Sequence, residues 1–60
     1  MNNQNKISDS DIIKCMISRG GSFVTHLGIL ATKADSENLQ KIKDSWPEYW
    51  EKYKKMAENS

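Results

Sequence analysis

The chain lacks the groups that usually stabilise very small proteins. Its 60 residues include one cysteine and one histidine, so neither an intramolecular disulfide nor a zinc site with the usual four ligands can form. We expect no metal and no other cofactor. A domain of this length buries only about 60% of the surface of its unfolded chain. The sequence therefore predicts a small apolar core and excludes a deep internal active site.

Long apolar runs and a strong net charge are also missing. The longest apolar runs are pairs and triplets such as Cys15-Met16-Ile17, whereas a membrane-spanning helix needs about 20 apolar residues. The polar first residues do not form the apolar segment of a secretory signal, so we expect a cytoplasmic protein without a membrane span. Nine Lys+Arg against eight Asp+Glu give a formal net charge of +1, which does not favour nucleic acid as a partner.

The polar, asparagine-rich start of the chain predicts a disordered tail over 1–7, followed by a single helical domain over 8–60. Ser8 is suited to cap a first helix from about Asp9 to Arg19, with acidic residues at its positive end. Glycines follow this helix. We expect them to end it in the left-handed backbone conformation that only glycine enters freely.

Ser22 is suited to be the N-cap of a second helix. Apolar residues form one stripe along this helix, namely Phe23, Val24, Leu27, Leu30, Ala31 and Ala34. Gly28 lowers helix propensity and lies at the edge of this stripe, so we interpret it as a glycine that lets another helix approach closely. Ile29 lies on the opposite side of this helix from the stripe. We expect it to face solvent or a second interface.

Two further helices follow. Asp35 predicts the cap of a third helix from about Ser36 to Ser45. A proline cannot continue a helix but fits its first turn, and Ser45 and Glu48 have the spacing of a capping box. The sequence therefore predicts a restart and a fourth helix from about Trp46 to Glu58.

The fold class that follows is all-α, a compact bundle of three to four short helices, because no segment alternates apolar and polar residues as a strand does. Apolar spacing assigns eight residues to its core: Phe23, Leu27, Leu30, Leu39, Ile42, Trp46, Trp50 and Tyr53.

Three segments of the chain carry a resemblance. They are Gly21-Ser22-Phe23-Val24, Ala34-Asp35-Ser36-Glu37-Asn38, and Ile42 with Trp46-Pro47-Glu48-Tyr49-Trp50 and Tyr53. Together these segments, within residues 20–53, resemble small uncharacterised proteins encoded by bacteriophages and prophages. The resemblance implies a compact helical fold and a phage or mobile-element origin, and it brings no established activity.

The residues that could carry chemistry are few. Cys15 and His26 are the only side chains suited to act as nucleophile or base at neutral pH, and no spacing places a carboxylate beside either. We therefore expect a non-enzymatic protein. The first two helices also suggest a small DNA-binding helix-turn-helix regulator. The exposed face of the second helix offers only one firm cation, Lys33, and DNA affinity needs several.

A protein-interaction module is the function that we favour from the sequence. Without a disulfide or a metal, a chain below about 70 to 80 residues often gains stability from a partner or from self-association. We expect the partner to be an unknown protein or a second copy of the chain. The candidate interaction residues are Cys15, His26, Ile29, Lys33, Tyr49 and Tyr53.

Overall fold

The computed structural model describes residues 7–59 and contains four helices. They are α1 (Asp9–Arg19), α2 (Ser22–Thr32), α3 (Ser36–Ser45) and α4 (Pro47–Glu58). No strand occurs between residues 7 and 59, and the all-α prediction is confirmed. The predicted tail falls on residues outside this range except for Ile7, which is half-buried and packs against the core.

Two of the predicted caps are present. At the start of α1 the Ser8 hydroxyl accepts a hydrogen bond from the Asp11 backbone N–H at 3.2 Å, and the Asp11 carboxylate accepts one from the Ser8 N–H at 3.2 Å. At the start of α3 the Asp35 carboxylate accepts a hydrogen bond from the Asn38 N–H at 2.8 Å. Because these bonds satisfy N–H groups that have no partner inside the helix, they fix where α1 and α3 begin.

The cap of α1 is expected to depend on pH. Hydrogen bonds from the backbone N–H and the hydroxyl of Ser8 lower the pKa of the Asp11 carboxyl from its ordinary value of 3.8. A carboxyl whose pKa is lowered on folding stabilises the protein above its ordinary pKa, and this contribution is lost as the pH falls through the lowered value. We expect wild type to melt above Asp11→Asn at about pH 6, and the two melting temperatures to converge towards about pH 2. A constant difference across this range would contradict the pKa shift.

Two other predicted caps are wrong. Ser22 is the first residue of α2, whose N-cap is Gly21, and that cap makes no side-chain hydrogen bond. Ser45 forms no capping box with Glu48, because the N-cap of α4 is Trp46 with φ −131° and ψ 60°. Pro47 occupies the first turn of α4 and has no N–H, so this helix start needs one fewer partner.

The turn between α1 and α2 does not use the left-handed conformation that the sequence predicts. Gly20 has φ −74° and ψ 153°, which is extended backbone. Glycine is needed here for space, since a Cβ at this position would lie 2.5 Å from the Met16 carbonyl oxygen and 2.7 Å from Val24 Cβ. The Thr25 hydroxyl donates to the Gly20 carbonyl at 2.9 Å and holds the turn closed.

The core is built around α1, which packs between α2 and α4. Met16 is fully buried at its centre. Gly28 confirms the predicted close approach, since a Cβ there would lie 2.9 Å from Ile17 Cγ1 and 3.2 Å from Met16 Cβ. The buried apolar residues are Ile12, Ile13, Cys15, Met16, Val24, Leu27, Ala31, Ile42, Trp50 and Tyr53.

Four of the eight residues that the sequence assigns to the core are not buried in it. Phe23 and Leu30 are 56% and 55% exposed, because the face of α2 that carries Gly28 turns to α1 and leaves their side of the helix outward. Leu39 and Trp46 are half-buried and pack against the core from its edge. The predicted burial of the other four residues is confirmed.

The buried indole of Trp50 lies close to the one ion pair found among the described residues. Lys43 Nζ is 3.0 Å from the Asp9 carboxylate and 5.8 Å from the centre of the Trp50 ring. It thereby links α3 to α1 and to α4. The Trp50 Nε1 is buried and has no hydrogen-bond partner within residues 7–59, so the ring is held by packing and not by its polar group.

Candidate functional site

An apolar patch on α2 and the start of α4 is the most distinctive part of the described surface. It consists of Phe23, Leu30, Trp46 and Tyr49. The Phe23 ring lies 6.0 Å from the ring of Trp46 in an edge-to-face arrangement and 6.0 Å from that of Tyr49. More than half of Phe23 and of Leu30 is nevertheless exposed. Large apolar side chains that are exposed together commonly mark a binding surface.

A groove continues from the patch between the end of α2, α3 and the start of α4. It is open to solvent and has a volume of about 290 Å³. Its walls are Leu30, Lys33, Ala34, Asn38, Lys41, Ile42, Ser45 and Trp46. Leu30 and Trp46 belong to both the patch and the groove, so the two form one continuous surface.

The ionisable residues that line the groove are both lysines, Lys33 and Lys41. Each is exposed and neither forms an ion pair within residues 7–59. The acidic residues nearest to these lysines in the sequence, Asp35, Glu37 and Asp44, lie outside the lining of the groove. The lining of the groove therefore combines apolar walls with two positively charged side chains and no carboxylate.

The structure places the predicted interaction residues unevenly. Lys33 lines the groove and Tyr49 belongs to the patch. His26 and Ile29 are exposed on α2. His26 lies between Phe23 and Leu30 at helical spacing, and Ile29 lies further around the helix.

The prediction that Cys15 and Tyr53 lie on an interaction surface is wrong. These residues are 8% and 5% exposed and belong to the core. Both are buried because α1 and α4 pack against each other. Cys15 faces a depression that it shares with Ala57 of α4. Neither residue can serve as an anchor on the surface of this fold.

The candidate catalytic residues do not meet. Cys15 is buried in α1, whereas His26 is exposed on α2 and its ring Nδ1 lies 2.8 Å from the Ser22 carbonyl oxygen. A carbonyl oxygen only accepts, so Nδ1 carries the proton and donates it. Between residues 7 and 59, no three His, Cys, Asp or Glu side chains are grouped so that they could hold a metal ion.

Two features of this site are not predicted by the sequence. Apolar spacing assigns Leu30 and Trp46 to the core, although each lines the groove, and no sequence pattern distinguishes Lys41 from the other lysines. The available signal was Gly28. A glycine that admits α1 directs its helical neighbours Val24 and Ala31 towards α1, and it thereby turns Phe23 and Leu30 to the other side.

Across the part of the chain that the structure describes, no helix is long and apolar enough to cross a membrane. No protein-family model, curated protein or solved structure matches the chain.

Proposed function

We propose that this chain is a non-enzymatic, cytoplasmic protein-interaction module of phage or prophage origin that binds its partner through the patch and the groove. The observation that carries the proposal is the exposure of Phe23 and Leu30 beside an open groove. The core forms without further burial of Phe23 and Leu30, because α2 already packs its opposite face against α1. Large apolar and aromatic residues of this kind are the usual anchors of protein interfaces.

The resemblance of residues 20–53 to small phage and prophage proteins supports the proposed origin. It adds nothing about the partner, since that family has no established activity. The identity of the partner is therefore inferred from the chemistry of the surface.

Replacing Phe23 and Leu30 together by serine is expected to abolish partner binding without unfolding the protein. The patch variant Phe23→Ser/Leu30→Ser loses exposed apolar surface and the ring contacts of Phe23, a cost of about 1 to 2 kcal/mol. Wild type, the patch variant and Ile29→Ser are immobilised and used to capture proteins from a bacterial lysate. Circular dichroism verifies that each remains helical.

Ile29→Ser is the matched control, because Ile29 is an exposed aliphatic residue of the same helix that does not line the groove. We expect a protein that wild type and Ile29→Ser retain and the patch variant loses. Equal retention by all three would contradict the proposal.

Regulation of DNA is the weaker alternative. In a helix-turn-helix interpretation α2 is the recognition helix, yet residues 22–32 contain no lysine or arginine, and their exposed face carries Phe23, Ile29 and Leu30. Phosphate contacts supply most of the affinity of such proteins. A gel shift at low salt tests this alternative, and unretarded DNA at about 10⁻⁵ M protein, within the range of non-specific affinities, would exclude it.

A further inference from the structure

We propose that the groove accepts an acidic amphipathic segment of a partner protein, with an apolar side chain between Leu30, Ile42 and Trp46 and carboxylates beside Lys33 and Lys41. This inference rests on the proposed function and names the chemistry of its partner. It comes from the lining of the groove, which contains two lysines that form no ion pair within residues 7–59 and no acidic residue. Opposite charges at the rim of an apolar site set register and specificity.

The shape of the surface fits a helical segment. Phe23 and Leu30 are seven residues apart on α2, which is about 10 Å or two helical turns. A partner helix with apolar residues at i, i+4 and i+7 covers the same length. Acidic residues beyond one end of that apolar stripe would then reach Lys33 and Lys41, the two lysines that line the groove.

A second copy of the chain fits the groove less well. A twofold dimer brings the same surface of both copies together, and the ionisable residues that line the groove in each copy are Lys33 and Lys41. The groove lining of one copy therefore adds positive charge to the interface and supplies no carboxylate to the other groove. The charge complementarity therefore favours a different chain.

A small ligand also leaves the surface incompletely covered. The groove volume of about 290 Å³ is at the lower limit of small-molecule sites, which is about 300 Å³. A ligand confined to it would leave Phe23 exposed on the patch. A peptide segment covers the groove and the patch together.

Selection from a random peptide library tests the proposal without presupposing a sequence. Displayed peptides of about 15 residues, long enough to form a helix on binding, are selected on immobilised wild-type protein. The enriched peptides are synthesised, and their affinities are measured for wild type and for three variants.

The patch variant Phe23→Ser/Leu30→Ser tests the apolar surface. The groove charge variant Lys33→Glu/Lys41→Glu tests the lysines. Lys14→Glu/Lys55→Glu is the matched control, since it changes the net charge equally at exposed positions of α1 and α4 that do not line the groove.

The proposal predicts enrichment of Asp and Glu next to apolar residues at helical spacing. It predicts that the groove charge variant binds these peptides at least about tenfold more weakly than wild type, because two attractive pairs become repulsive. The control is expected to bind within about twofold of wild type, because neither of its positions lines the groove and salt screens the interactions between exposed charges.

Three other outcomes would overturn the proposal, and they differ in what they leave standing. Peptides without acidic enrichment that bind the groove charge variant as wild type would reject the acidic partner and keep the proposed function. If no selected peptide distinguishes wild type from the patch variant, the proposed function fails as well. A dimer, measured by light scattering, that the patch variant dissociates would assign the groove to a second copy.

Discussion

Replacing Trp50 by alanine is expected to remove most of the protein's free energy of unfolding. The side chain is 7% exposed and lies in the core where α4 packs against α1. Removing a buried tryptophan costs about 3 to 5 kcal/mol. A domain of this length has a free energy of unfolding of about 3 to 9 kcal/mol, so the substitution removes much or all of it.

Trp50→Phe is the matched control for that experiment. The Trp50 Nε1 has no hydrogen-bond partner among residues 7–59, so phenylalanine gives up ring area but no hydrogen bond. We expect it to cost about 1 to 2 kcal/mol and to remain helical. Urea denaturation followed by circular dichroism measures both variants. An alanine variant as stable as wild type would show that Trp50 is not part of the core, and a phenylalanine variant as damaged as alanine would show that the indole N–H is engaged.

Serine is expected to have opposite effects at the two adjacent glycines of the first turn. A Cβ at Gly20 would lie 2.5 Å from the Met16 carbonyl oxygen, which already accepts the Gly20 N–H at 2.8 Å. Neither that carbonyl nor Val24 can withdraw without moving a helix. We expect Gly20→Ser to lower the free energy of unfolding by about 2 to 3 kcal/mol.

Gly21→Ser is expected to raise the free energy of unfolding by about 0.5 to 1 kcal/mol. A Cβ at Gly21 meets no atom within 4 Å, and its φ of −71° and ψ of −170° are open to any residue. As the N-cap of α2, a serine there can accept a hydrogen bond that glycine cannot. Thermal melting of both variants beside wild type measures the contrast, and similar changes at the two positions would contradict this account of the turn.

Local chemistry explains why the helix boundaries could be predicted. Ser8, Asp35 and Pro47 act within one helical turn of their own positions, so the information needed to place them lies in adjacent residues. The predicted bounds of α1 and α3 are those of the structure. The predicted start of α4 is one residue early, because Trp46 has left the helical conformation.

The orientation of α2 could not be read from apolar spacing alone. Apolar residues occur on nearly every side of this helix, among them Phe23, Ile29 and Leu30. Periodicity selects a buried face only where polar residues occupy the other face. The packing of Gly28 against α1 selects the buried face of α2. The groove depends on this orientation because its walls come from α2, from α3 and from the turns on either side of α3.

The buried residues of α1 cover more of the helix than one apolar stripe, because this helix has two neighbours. At about 100° per residue Cys15 lies away from the face of α1 that carries Ile12, Ile13 and Met16, so apolar spacing alone leaves it outside the core. Because α1 packs against both α2 and α4, Met16 and Ile17 face α2 at Gly28, while Cys15 is buried on the side of α1 that shares a depression with Ala57 of α4. A sequence pattern describes one helix and does not record how many neighbours it has.

The central place of α1 also determines when the protein can fold during its synthesis. The ribosome makes α1 and α2 first, and these two helices can pair through a short turn as soon as both have emerged. One side of α1 then stays without its partner until Trp50 and Tyr53 have been added. A nascent chain that stops before α4 therefore exposes an apolar face of α1 to chaperones and proteases. The apolar residues of the first helix are all covered only after the last helix has been synthesised.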